Sequence, residues 1–112
     1  MKEIKAFIRT EKAQYVLESL EKMGINGYTL SDVMGHGALA DPTSSRYSIE
    51  FVERFSKIAK LELVCRDDQV DTIVNCIRKC AYTGLPGDGI IYVTPIERAI
   101  KIRNGAENEA AI

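Results

Sequence analysis

Ala59-Lys60-Leu61-Glu62-Leu63-Val64-Cys65 is followed by Arg66-Asp67-Asp68 and then by Val70, Ile73, Val74, Ile77 and Cys80 at helical spacing. In an extended chain Leu61, Leu63 and Cys65 share one face, while Lys60, Glu62 and Val64 share the other. The spacing after Asp68 predicts a helix with one buried stripe. Asp67 or Asp68 is expected to cap it, because a short carboxylate can accept from the unpaired N–H groups of a first turn. Past that helix the glycine-rich run Thr83-Gly84-Leu85-Pro86-Gly87-Asp88-Gly89 leads into Ile90-Ile91-Tyr92-Val93, a further strand. This half of the chain therefore reads β-α-β.

The N-terminal half repeats that order. Ile4, Ala6 and Ile8 alternate with Lys5 and Arg9, which predicts a strand. Thr10 is expected as a helix N-cap. Ala13, Val16, Leu17, Leu20 and Met23 then form a helical stripe that Gly24 closes, and Gly27 to Val33 reads as a second strand. At the far end, a turn opening at Pro95 leads to Ala99-Ile100-Lys101-Ile102-Arg103, expected as a short added strand. Two β-α-β units in succession predict an α+β, ferredoxin-like split βαβ fold with both helices on one face of an antiparallel sheet. Such a sheet leaves its other face open, so a homo-oligomer is expected.

At 112 residues the chain is expected to form a single domain, 1–112, with a formal net charge of −1. Neither nucleic acid nor an acidic membrane surface is favoured as partner by that balance. The charged start, Met1-Lys2-Glu3-Ile4-Lys5, does not read as a signal peptide, and no apolar run has bilayer-spanning length. Three cysteines, Cys65, Cys76 and Cys80, lack C-x-x-C spacing and suit a reducing cytoplasm. The connection from about residue 36 to 56 is long for a compact domain. It reads as a functional loop, or else as a helix-and-turn excursion with Ile49, Val52 and Phe55 as its apolar stripe.

Where, then, is the chemistry? Three glycines within seven residues allow backbone N–H groups to converge on an anion, although the same run also suits a tight turn into a strand. Lys101 and Arg103, two apart in an expected strand, would project to one side and supply a phosphate clamp. His36 is the only histidine, so a single chain assembles neither a histidine metal cluster nor a Ser-His-Asp arrangement. Glu50, Glu53 and Glu62 show no spacing that marks an acid/base pair. Catalytic residues and a metal site are therefore not expected. Cys76 and Cys80, four apart on one helix, leave a soft-metal pair as the minor alternative.

With these motifs in order, the chain resembles the PII signal-transduction proteins from Met1 to Ile112. The resemblance is carried by Gly35-x-Gly37, Glu62, Asp67-Asp68, Thr83-Gly84-x-x-Gly87-Asp88-Gly89 and Ile100-Lys101-Ile102-Arg103-x-Gly105. It implies a non-catalytic homotrimer that binds ATP or ADP in clefts between subunits. Gly87, Asp88, Gly89, Lys101 and Arg103 would then hold phosphates. Gly35, Gly37, Thr29, Glu62 and Val64 would line the cleft, with Thr29 and Glu62 near the adenine. The long connection would be the family's T-loop, presenting Asp41, Arg46, Tyr47 and Phe51 to a regulated target protein or membrane transporter in the service of nitrogen, carbon and energy signalling.

Four positions depart from the pattern that resemblance implies. Leu39 replaces a loop glutamine that helps hold magnesium and 2-oxoglutarate, so the 2-oxoglutarate response is expected to be lost and the place of magnesium is left open. Ile58 and Ile90 each stand where a lysine is usual. Phe51 replaces the tyrosine that enterobacterial relatives uridylylate, and it has no hydroxyl to modify; Ser44, Ser45, Tyr47 and Ser48 remain. The Ala-Asp-Pro character of the loop is similar to a divergent branch associated with cation or heavy-metal efflux. The alternative function is accordingly a metal-responsive binding protein using His36 and the cysteines.

Overall fold

The computed structural model describes residues 1–36 and 55–112. Its first strand, β1 (Lys2–Arg9), leads through a 3-10 turn, Thr10–Lys12, into α1 (Ala13–Lys22). Then come β2 (Thr29–His36), β3 (Phe55–Cys65), a second 3-10 turn at Asp67–Gln69, α2 (Val70–Ala81) and β4 (Gly89–Pro95). The sheet order is β2-β3-β1-β4 with every neighbouring pair antiparallel, which is the ferredoxin-like arrangement. No helix among the described residues is long and apolar enough to cross a membrane.

The alternations read from sequence set the two faces of this sheet. Ile4, Ala6 and Ile8 of β1 and Leu61, Leu63 and Cys65 of β3 are buried with Val16 and Leu20 of α1 and Ile73, Ile77 and Cys80 of α2. Each fully buried Leu or Ile contributes about 2 kcal/mol relative to exposure, so this single layer supplies most of the driving force for folding. Gly24 ends α1 with φ +84°, the left-handed conformation that glycine adopts without a side-chain clash. Glu3, Lys5 and Phe7 of β1, with Lys60, Glu62 and Val64 of β3, occupy the opposite face.

Several local expectations are corrected. Thr10 is not an N-cap: it lies inside the 3-10 turn, and its hydroxyl donates to the Lys57 carbonyl at 3.4 Å. Neither Asp67 nor Asp68 caps α2. Asp67 pairs with the Met1 ammonium at 2.9 Å and Asp68 with Arg66 at 3.4 Å, while the Gln69 side chain accepts from the Arg66 N–H at 3.1 Å. The Met1 ammonium, hydrogen-bonded to Asp67, holds that carboxyl below its ordinary range. Met23 is exposed and closes no core. The β2–β3 ladder also runs further than expected, reaching His36 opposite Phe55. Most of the expected loop, with Gly37, Leu39, Asp41, Ser44, Ser45, Arg46, Tyr47, Ser48, Ile49, Phe51 and Val52, lies outside the described residues.

Candidate functional site

The glycine-rich run is built around its own aspartate. The Asp88 carboxylate accepts from the N–H groups of Thr83 and Gly84, both at 2.9 Å, and from the Thr83 hydroxyl. Arg9, at the end of β1 and only 6% exposed, donates from Nε to Asp88 at 3.0 Å and from Nη2 to the Pro86 carbonyl at 2.8 Å. Partial burial opposes ionisation of Asp88. The Thr83 hydroxyl and N–H, the Arg9 guanidinium and the Gly84 N–H outweigh it and hold the carboxyl well below the usual carboxylate range.

That arrangement answers the question the sequence left open. The run is a turn into β4, and its first two N–H groups close on an internal anion. The N–H groups of Gly87 and Asp88 have no hydrogen-bond partner among the described residues, so the later half of the turn is the part open to an external one. Gly87 and Gly89 take φ of +99° and +104°. At Gly89 a Cβ would stand 1.7 Å from the Phe7 carbonyl oxygen, so this position admits no side chain while β4 stays in register with β1.

A second group forms at the other side of the sheet. Thr29 and Glu62 are register partners on β2 and β3, and together with Glu3, Gly27, Tyr28 and Val64 they line a concavity of about 270 Å³. Glu62 is paired with Lys60 at 3.0 Å, both side chains about 30% exposed. The result is a shallow site with an apolar wall from Val64, a hydroxyl from Thr29 and one half-buried carboxylate. A flat heteroaromatic ring with an amino donor matches that set.

Lys101 and Arg103 are placed elsewhere, and not as expected. Ala99–Arg103 is not a strand. Ile100 makes one isolated bridge to Glu107, and residues 102–104 turn back so that Lys101 N–H meets the Ala106 carbonyl at 2.8 Å. Ile102 is fully exposed. Two residues on a turn do not share a face as strand residues do, so the common projection of Lys101 and Arg103 is withdrawn; both are exposed. Gly35 is buried near the end of β2, opposite Ser56.

The chain thus gathers Thr29, Glu62 and Val64 in one place and Gly87, Asp88 and Gly89 in another. Glu62 lies in the row of Lys5 and Tyr92, and Gly89 in the row of Ile8. Three rows and two strands separate them, about 14 Å along the sheet. Arg9 was missed by sequence reasoning. It stood there only as the polar partner in an alternation, and nothing local signals that its guanidinium turns to a segment more than seventy residues away.

The open sheet face is less apolar than expected. It carries the ion pairs Lys5–Glu3 at 3.8 Å and Lys60–Glu62 at 3.0 Å beside an edge-on Phe7–Tyr92 pair with centroids 6.2 Å apart. Among the described residues no group of three or more His, Cys, Asp or Glu side chains is placed to hold a metal ion. Cys65 and Cys80 are buried and Cys76 half-buried. Burial pushes the Cys65 and Cys76 thiols up, away from the thiolate form that a soft metal requires.

Comparison with known proteins covers the same chain from end to end. The family model described as Nitrogen regulatory protein P-II matches residues 1–106. Nitrogen regulatory protein P-II of Haemophilus influenzae is 43% identical, and that of Pasteurella multocida 42%, each over the full length of both chains. Nitrogen regulatory protein P-II 1 of Escherichia coli K12 is 41% identical over the same span. Among solved structures, that of Arabidopsis thaliana PII bound to citrate superposes with a TM-score of 0.82 at 34% identity, covering 99% of this chain and 91% of that one.

Proposed function

Because the chain belongs to the P-II family of nitrogen regulatory proteins, we propose that it is a non-catalytic, homotrimeric sensor of ATP or ADP. In this reading nucleotide binds between subunits, and the connection from β2 to β3 carries its state to a partner protein, a membrane transporter being one candidate. The observation that carries this is the separation of two half-sites in one protomer. The concavity at Thr29, Glu62 and Val64 suits a purine with an exocyclic amino group. The turn at Gly87 and Asp88 offers unengaged N–H groups to a phosphate oxygen. They lie apart on the sheet, and in this reading a neighbouring copy brings the two kinds of surface together around one nucleotide.

Lys101 and Arg103 would add positive charge toward the phosphates. Ile90, exposed directly after the turn, supplies none, so the discrimination of ATP from ADP is expected to be weak. With Leu39 in the loop, 2-oxoglutarate is expected not to tighten ATP binding. Sedimentation equilibrium should give three times the 12.5 kDa protomer mass. Calorimetric titration with ATP, ADP and AMP, each with and without magnesium and 2-oxoglutarate, should give saturable binding of ATP and ADP that Glu62→Ala weakens. A monomer without nucleotide affinity would overturn the proposal. Tightening by 2-oxoglutarate would overturn the part resting on Leu39.

A further inference from the structure

We infer that Arg9 is the positioning residue of the Thr83–Gly89 turn, fixing it in the form that receives phosphate; the inference deepens the nucleotide reading and rests on it. Three observations support it. First, Arg9 is the only buried charged side chain among the described residues, and it spans two points of the turn, the Pro86 carbonyl at 2.8 Å and the Asp88 carboxylate at 3.0 Å. A planar guanidinium can hold two acceptors in fixed relative positions, whereas an ammonium supplies one centre of charge. Second, the carboxylate so held also takes the N–H groups of Thr83 and Gly84. Arg9 therefore fixes the middle of the turn directly and its start and end through one anion.

Third, the clamp settles an electrostatic problem at the site. Asp88 is a negative charge within the segment expected to meet a triphosphate, and an unpaired carboxylate there would repel it. Saturated by the Thr83 and Gly84 donors and neutralised by the guanidinium, that charge is turned into scaffold. The N–H groups of Gly87 and Asp88 are left to the ligand. The close backbone approach that leaves no room for a side chain at Gly89 sets the last residue of the turn against Phe7, two positions from Arg9 on the same strand. β1 thus holds the turn by its backbone at Phe7 and by its side chain at Arg9.

The test uses the full chain as wild type, Arg9→Lys, Asp88→Asn and the double variant, each read in two ways. Without nucleotide, amide hydrogen exchange at Thr83 and Gly84 should rise about tenfold or more in each single variant, the loss expected for one charge-assisted hydrogen bond. With ATP, each single variant should bind about tenfold more weakly, and the double variant no more weakly than the worse single one, because both act through one contact. Unchanged exchange and unchanged ATP affinity in Arg9→Lys would overturn the inference, as would losses that add in the double variant. If the wild type binds no ATP, the nucleotide reading fails and the phosphate role of Arg9 fails with it. Faster exchange would in that case still show the clamp as a structural one. Should Arg9→Lys not fold, Asp88→Asn carries the same two readouts.

Discussion

Replacing Gly89 by alanine tests the junction between the turn and the sheet with a single methyl group. The backbone there has φ +104°, a conformation that costs an L-residue about 1–2 kcal/mol by itself. The added Cβ would meet the Phe7 carbonyl oxygen at 1.7 Å and its carbon at 2.8 Å, so β4 must move away from β1 by more than an ångström. Both obstacles are backbone atoms of a central strand, and no rotamer change relieves them. Opening the ladder at Ile8 opposite Gly89 gives up one or two hydrogen bonds at about 1 kcal/mol each. Strain and ladder together come to roughly 2–4 kcal/mol. Gly24 is the internal control: its φ is +84° and a Cβ there meets nothing within 4 Å, so Gly24→Ala retains only the strain.

Urea unfolding at fixed protein concentration separates the two substitutions. With a slope near 2 kcal/mol/M, Gly89→Ala should lower the midpoint by about 1–2 M and Gly24→Ala by about 0.5–1 M. Equal midpoints for the two variants would refute the reasoning. They would mean that β4 accommodates the methyl group without leaving its register.

Acid stability should carry the signature of Asp88. Its folded carboxyl is held below the unfolded value, so its contribution is fully present above about pH 4 and is lost as pH falls toward the folded value. The difference in urea midpoint between wild type and Asp88→Asn should thus be flat above about pH 5 and shrink below about pH 4. A difference that widens in acid would reverse the assignment. In the core, Ile77→Ala should cost about 2–5 kcal/mol, since the side chain is fully buried between helix and sheet, as measured by the same unfolding. Cys76→Ser on the same helix, half-buried beside Cys80, should cost less than half as much; a larger loss would show that Cys76 is a core residue.

The fold was legible because its faces are written in short periods. Ile4, Ala6 and Ile8, and Leu61, Leu63 and Cys65, alternate without interruption, and all six prove buried. Helix ends were less legible. Capping depends on which partner reaches the first turn, and at α2 the Met1 ammonium claims Asp67 from the far end of the chain. Ile100 and Ile102 imitate strand alternation, yet a 2.8 Å bond from Lys101 to Ala106 folds that segment into a turn, and no local pattern announces such a bond. Of the candidate site, Thr29, Glu62 and Val64 were grouped by resemblance and the structure places them together. Arg9 escaped because its partners, Pro86 and Asp88, lie in a different β-α-β unit.

The position of β1 has a consequence for how the chain comes to be folded. This strand precedes the other three in the chain, yet Ile4 finds its ladder partners only at Leu63 and Val93. During translation this apolar strand therefore keeps one hydrogen-bonding edge unsatisfied until β3 has emerged, and the other until β4 follows, when nearly the whole polypeptide has been made. Non-local pairing of this kind places folding in the slower, millisecond-to-second range expected when chain closure precedes its reward. It also makes the nascent protein most prone to aggregate just before β4 arrives. A truncation ahead of Gly89 would hold the molecule at that stage, with one edge of its central strand uncovered.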